Sequence, residues 1–157
     1  MFSSVLIVDP EPAASRLYSC LIGDRAGRIE YARDGREGLL KLRANPPALL
    51  VTEAWLPLLD GYDLCALAHG EPGVLSIMAT RLTDPMVRQR AQCSAADVVL
   101  AKPIDAQLFE HALEHLRARA ARAREQSRRI RGQSRVLGGT ARVIHRESID
   151  IWRRPRS

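Results

Sequence analysis

Four polar side chains follow short apolar runs in this chain. Asp9 follows Val5-Leu6-Ile7-Val8, Glu53 follows Ala48-Leu49-Leu50-Val51-Thr52, Thr80 follows Leu75-Ser76-Ile77-Met78-Ala79, and Lys102 follows Asp97-Val98-Val99-Leu100-Ala101. An acid pair, a hydroxyl and an ammonium can hold a phosphoryl group together with a divalent cation. The ammonium pairs with phosphate oxygens, and carboxylate oxygens suit a hard cation such as Mg²⁺. That chemistry exists only if the fold brings the four groups to one place.

The runs themselves predict how that happens. Each is short, apolar and bounded by turn residues, as buried strands are. Arg28-Ile29-Glu30-Tyr31-Ala32 alternates and suits a more exposed strand. Helical spacing recurs between the runs. Pro12 opens a helix with Ala14, Leu17 and Leu21 on one face, and Asp34-Gly35 precedes Leu39, Leu40 and Leu42. Asp60-Gly61 opens a helix to about His69, and Asp84-Pro85 reads as an N-cap followed by proline at the first helical position. Phe109, Ala112, Leu113, Leu116 and Ala120 mark a longer fifth helix. Five βα units without hairpin signals predict an α/β fold, a doubly wound five-stranded parallel sheet. Such sheets place their chemistry at the carboxyl ends of the strands, where Asp9, Glu53, Thr80 and Lys102 all fall.

Composition bounds the rest. The 157 residues suffice for one domain and an appendage. Cys20, Cys65 and Cys93 are an odd, widely spaced set, expected to be reduced thiols used as small buried hydrophobes. Ser3 to Val8 is too short for a signal peptide, and no run approaches the roughly 18 apolar residues of a membrane span, so a cytoplasmic location without membrane attachment is expected. Charge is uneven. Residues 117–157 carry 13 arginines against Glu125, Glu147 and Asp150, so the net charge of +6 covers an acidic domain joined to a basic tail.

With Val5 to Asp9, Glu53 with Pro57 and Asp60-Gly61, Thr80, and Ala96-Asp97 through Lys102-Pro103, residues 3–118 resemble the receiver domains of bacterial two-component response regulators. The resemblance implies the flavodoxin-like fold of that family over residues 1–118, with 119–157 as an Arg-rich extension. It implies that Glu53 stands where the phosphoaccepting aspartate belongs and that Asp9 is the first acid of the metal pocket. Thr80 and Lys102 match the hydroxyl and the lysine that read the phosphoryl group. Pro10 replaces the second acid, Glu11 comes one position late, and Val99 stands where receivers carry an aromatic switch.

These departures bear on phosphoryl transfer, which needs in-line geometry and charge neutralisation. A glutamate carries its carboxylate about 1.5 Å farther than an aspartate, and proline supplies no oxygen ligand. The expectation is a pseudo-receiver and not an enzyme, with no cofactor and weak or absent Mg²⁺ binding. It would act in phosphorelay-type signal transduction by protein–protein contact. Glu53 would then either mimic a phosphoryl group toward Thr80 and Lys102 or simply brace the strand ends. Family resemblance implies a partner surface around Met86, Val87, Arg90, Phe109 and Leu113, for a sensor kinase, a downstream regulator or a second copy in a homodimer. Two alternatives stand beside this reading: a conventional phosphorylatable response regulator, and a nucleic-acid-binding regulator acting through the tail.

The remaining features are weaker. Trp55 packs on its loop, lids the site or meets a partner. His111 and His115, four apart on a helix, lack a third metal ligand and read as solvated. Arg117 to Arg131 prolongs the fifth helix, since Ala and Arg are strong helix formers. Gly132-Gln133-Ser134 is expected to break it, with a short β segment over Ala141 to Ile151 beyond. Thirteen arginines suit nucleic-acid phosphates, but no reading module fits the tail, so that function is not favoured.

Overall fold

The computed structural model describes residues 1–81 and 85–152, with side chains up to residue 131. The elements alternate: β1 (Val5–Val8), α1 (Pro12–Ile22), β2 (Ile29–Ala32), α2 (Gly35–Ala44), β3 (Leu49–Glu53), α3 (Gly61–Gly70), β4 (Leu75–Thr80), α4 (Pro85–Gln92), β5 (Val98–Ala101) and α5 (Ala106–Trp152). The strands form one sheet in the order β2-β1-β3-β4-β5, with every pairing parallel. This is the doubly wound fold that the alternating pattern predicts. Asp84, the predicted N-cap of α4, lies outside the described residues.

Central strands are apolar throughout because both faces of the sheet are covered; β1, β3 and β4 are buried at every position. Leu6, Val8, Leu50 and Met78 pack with Leu42, Leu64 and Ala91 from α2, α3 and α4. By strand alternation Val5, Ile7, Val51 and Ile77 face the opposite side. There Tyr18 of α1 stacks on Phe109 of α5, with ring centroids 5.7 Å apart.

Two helix starts share one device. Asp34 accepts a hydrogen bond from the Glu37 amide at 2.8 Å, and Asp60 accepts one from the Asp63 amide at 2.9 Å, each an N-cap. The glycines that follow are needed for close approach. A Cβ on Gly35 would fall 1.7 Å from the Leu59 carbonyl oxygen, and one on Gly61 would fall 2.0 Å from that of Glu53. The segment between β3 and α3 is thus pressed against both helix starts, with Gly35 donating to the Pro57 carbonyl and Gly61 to that of Ala54.

Three expectations are corrected here. In α1 the buried residues are Ser15, Tyr18 and Ile22, while Leu17 is 42% exposed; the larger ring of Tyr18 takes the core position against Phe109. Only Cys65 is a buried thiol, and Cys20 and Cys93 are exposed. In the tail, α5 is continuous from Ala106 to Trp152, without the break at Gly132 or the β segment after it. Glycine inside a helix costs about 1 kcal/mol but does not forbid it, and the tail's sole proline is Pro155, beyond the helix end. The chain divides into two compact units, Met1–Ala118 and Arg119–Ser157. In the second, the described residues 121–131 are all exposed.

Candidate functional site

β1 and β3 are neighbours, yet β2 lies beyond β1 on one side and β4 and β5 lie beyond β3 on the other. Chain winding reverses between them, which opens a crevice at their carboxyl ends. Asp9 leaves β1 and Glu53 ends β3 at this point. Thr80 ends β4 and pairs in register with Ala101, and its carbonyl accepts the Lys102 amide at 2.9 Å. A small cleft of about 160 Å³ remains, with Asp9, Glu53, Trp55 and Lys102 in its wall.

Lys102 dominates the geometry. Its Nζ lies 2.8 Å from Asp9 Oδ2 and 2.6 Å from Glu53 Oε2. Asp9 Oδ1 accepts the Glu11 amide at 2.8 Å. Glu53 Oε1 accepts the Ala54 amide at 2.7 Å and, more weakly, the Trp55 amide at 3.4 Å. All four carboxylate oxygens are therefore engaged. Burial works against the Lys102 charge, but the hydrogen bonds to Asp9 and Glu53 outweigh it and hold the ammonium well above its ordinary pKa. One ammonium faces two carboxylates, so the cluster carries a net negative charge.

Thr80 does not join it. Its side chain is fully buried and Oγ1 has no hydrogen-bond partner. Glu53 therefore makes the lysine contact of a phosphoryl group without the hydroxyl contact. Tyr18, absent from the predicted site, is part of its surroundings. Burial pushes its phenol up to about 12; Lys102 opposes this, while Asp9 and Glu53 add to it. The Tyr18 hydroxyl also lacks a partner. Nothing local in the sequence marks this residue, which reaches the site only through helix packing.

The residues present do not suit Mg²⁺. Both acids are spent on Lys102, Pro10 offers no oxygen donor, and the exposed Glu11 carboxylate is directed to Arg81 at 3.5 Å. Among the described residues, no group of three or more His, Cys, Asp or Glu side chains is placed to hold a metal. His111 and His115 are exposed on α5. Val99 is half-buried and packs against the core, so no exchangeable side chain fills the aromatic-switch position.

The partner surface needs revision. Phe109 and Leu113 are fully buried, because these positions of α5 cover the sheet, and they are unavailable for docking. Met86 is 81% exposed and Val87 half-buried. Arg90 lies on the same helix but is engaged within the domain. It pairs with Asp60 at 2.7 Å and lies over the Tyr62 ring at 4.0 Å and the Trp55 ring at 5.6 Å. Trp55 in turn meets Tyr62 edge-on, with ring centroids 6.2 Å apart. This cluster ties α4 to the loop directly after Glu53.

Residues 5–114 match the family model of the response regulator receiver domain. The chain is 31% identical over 101 residues to a gliding motility regulatory protein of Myxococcus xanthus, covering 62% of this chain and 13% of that one. It is 29% identical over 116 residues to a probable transcriptional regulator of Pyropia yezoensis, covering 74% and 48% respectively. The chain thus spans at most about half the length of these relatives. Among solved structures, the signal receiver domain of an HD domain-containing protein from Pseudomonas fluorescens superposes with a TM-score of 0.68 at 24% identity, covering 77% of this chain and 98% of that one. No helix among the described residues is long and apolar enough to cross a membrane.

Proposed function

The chain belongs to the response regulator receiver domain family of two-component signalling, and from that membership we propose that it is a pseudo-receiver. In this reading it is not an enzyme and signals by protein–protein contact without Mg²⁺-dependent phosphorylation. The observation that carries the reading is the closed ion cluster: Lys102 bridges Asp9 and Glu53 at 2.8 and 2.6 Å. Phosphoryl transfer to Glu53 would require breaking a buried ion pair and a backbone hydrogen bond. It would also bring a dianionic group into a pocket that already has more negative than positive charge.

Glu53 acts in this reading as a brace. Its two oxygens join the end of β3 to the following loop and to β5, and its failure to engage Thr80 argues against full phosphoryl mimicry. The exposed part of α4 around Met86 remains the candidate contact surface, toward a sensor kinase or a downstream regulator. Arg90 couples that helix to the loop beside Glu53.

Incubation with acetyl phosphate and Mg²⁺, followed by intact-mass measurement, tests the proposal. The expected result is unchanged mass under conditions in which an ordinary receiver gains a phosphoryl group. A stoichiometric gain, lost in Glu53→Gln, would instead establish the conventional phosphorylatable reading.

A further inference from the structure

The long helix α5 carries a repeat that the receiver fold does not use. Starting from the buried Leu113 and Leu116, positions a and d of a seven-residue repeat can be followed along the helix to Ile151. Beyond the first unit, position d holds Ile130, Leu137, Ile144 and Ile151, and position a holds Ser127, Ser134, Ala141 and Ser148. Ile130, the described member of that d series, is 56% exposed. A strict seven-residue apolar repeat sustained over successive heptads is the pattern of a supercoiled helix pair, because a straight helix would let the stripe drift by about 20° per heptad.

Charge follows the same register. Arg128, Arg135 and Arg142 occupy b, Arg129 occupies c and Arg146 occupies f, all away from the a/d seam. Arg129 is paired along its own helix with Glu125 at 3.0 Å. From 126 to 147 the g positions are Gln126, Gln133, Thr140 and Glu147, so no arginine crowds that edge; Arg131 at e is the exception on the other edge. Gly132, Gly138 and Gly139 weaken the helix by propensity alone, and a helix of this kind is stabilised by burying its apolar stripe.

We infer that residues 127–151 of α5 form an antiparallel coiled coil with the same segment of a second copy of this chain. Direction follows from volume. In a parallel pair, a faces a and d faces d, which would stack serine or alanine layers beside isoleucine layers and leave voids. Reversing one helix places each a opposite a d, and close packing favours large against small. Centred on Gly139, this arrangement sets Ser127 against Ile151 of the partner subunit, Ile130 against the partner's Ser148, Ser134 against the partner's Ile144 and Leu137 against the partner's Ala141. Every large side chain meets a small one, so the seam complements itself as a twofold interface must. That self-complementarity favours a second copy over an unrelated helix. The polar residues beside a narrow stripe favour a coil over an anionic membrane surface, the alternative for a basic amphipathic helix. The inference stands apart from the reading of the Glu53 site.

The test is sedimentation equilibrium of the full chain at physiological salt, with and without vesicles containing phosphatidylserine. A dimer is expected. Leu137→Asp with Ile144→Asp should weaken association at least 100-fold while the near-ultraviolet signal of the receiver unit is kept. Arg135→Ala, outside the seam, should leave the dimer intact. Direction is read by a spin label at Arg128→Cys in a Cys20→Ser, Cys93→Ser background, with the buried Cys65 retained. Antiparallel pairing places the two labels about 33 Å apart along the axis, from 22 residues at ~1.5 Å each; parallel pairing places them within about 15 Å, close to one coil diameter. A monomer at tens of micromolar overturns the inference, whether or not it sediments with vesicles. So does a dimer indifferent to the double substitution, or a short label distance.

Discussion

Replacing Lys102 with methionine tests the ion cluster most directly. Asp9 and Glu53 touch the same nitrogen at 2.8 and 2.6 Å, so removing the charge leaves two carboxylates roughly 5 Å apart without a counter-ion. At the effective dielectric of about 20 that suits such sites, their repulsion is about 3 kcal/mol, equivalent to about 2 pKa units on whichever carboxyl takes the proton. The Lys102 side chain is 11% exposed, so solvent screening is modest, and breaking a buried pair costs about 3–5 kcal/mol. Lys102→Met should therefore lose about that much stability at pH 7 by urea denaturation. One carboxyl in the variant has a folded pKa raised above its unfolded value, so that contribution is present at low pH and fades as pH rises through the raised value. Stability of the variant should accordingly recover by a few kcal/mol between pH 7 and pH 5. Adding Asp9→Asn, which removes one of the two charges, should recover much of the loss at pH 7. A loss below about 1 kcal/mol at pH 7, with no acid recovery, would refute the view that this cluster braces the strand ends.

Three further outcomes follow from other contacts. Gly61→Ala should destabilise by more than about 2 kcal/mol, because its Cβ would sit 2.0 Å from the Glu53 carbonyl oxygen, whereas Gly70→Ala, with nothing within 4 Å, should stabilise by up to about 1 kcal/mol; thermal midpoints rank the two. Arg90→Ala should cost about 1–2 kcal/mol and change the emission of Trp55 in a Trp152→Phe background, because the cation over the Tyr62 and Trp55 rings is lost; an unchanged spectrum would dissociate α4 from the loop after Glu53. Alkaline pH should destabilise the wild-type protein: Cys65 is pushed up from 9.0 to about 12 and Tyr18 from 10.0 to about 12, chiefly by burial. Both folded values exceed the unfolded ones, so stability is full below pH 9 and falls above it, by about 1.4 kcal/mol per pH unit for each group in its window. Tyr18→Phe should remove one contribution to that slope without destabilising at pH 7, since the hydroxyl has no hydrogen-bond partner. Urea midpoints from pH 7 to pH 11 read this directly.

Local periodicity was enough to set the elements, and it did so with little ambiguity. The apolar runs before Asp9, Glu53, Thr80 and Lys102 became parallel strands, and Asp34-Gly35 and Asp60-Gly61 became helix starts, because those choices depend on residues a few positions apart. The identities of Glu53, Pro10 and Val99 likewise disclosed in the sequence which parts of the receiver chemistry had changed. Tertiary structure decided the contacts. Lys102 meets Asp9 across 93 residues of sequence, and no spacing rule says that it will hold both acids while Thr80 Oγ1 is left without a partner. Which face of α1 turns inward was also a packing outcome, with Tyr18 displacing Leu17 against Phe109. Phe109 and Leu113 went into the core because α5 had to cover the sheet. The glycines at 35 and 61 read as helix starts in the sequence, but their necessity came from a backbone segment pressed against them. In the tail, helix propensity and the absence of an interior proline outweighed the glycines, and the seven-residue stripe became meaningful only once α5 was seen to continue to Trp152.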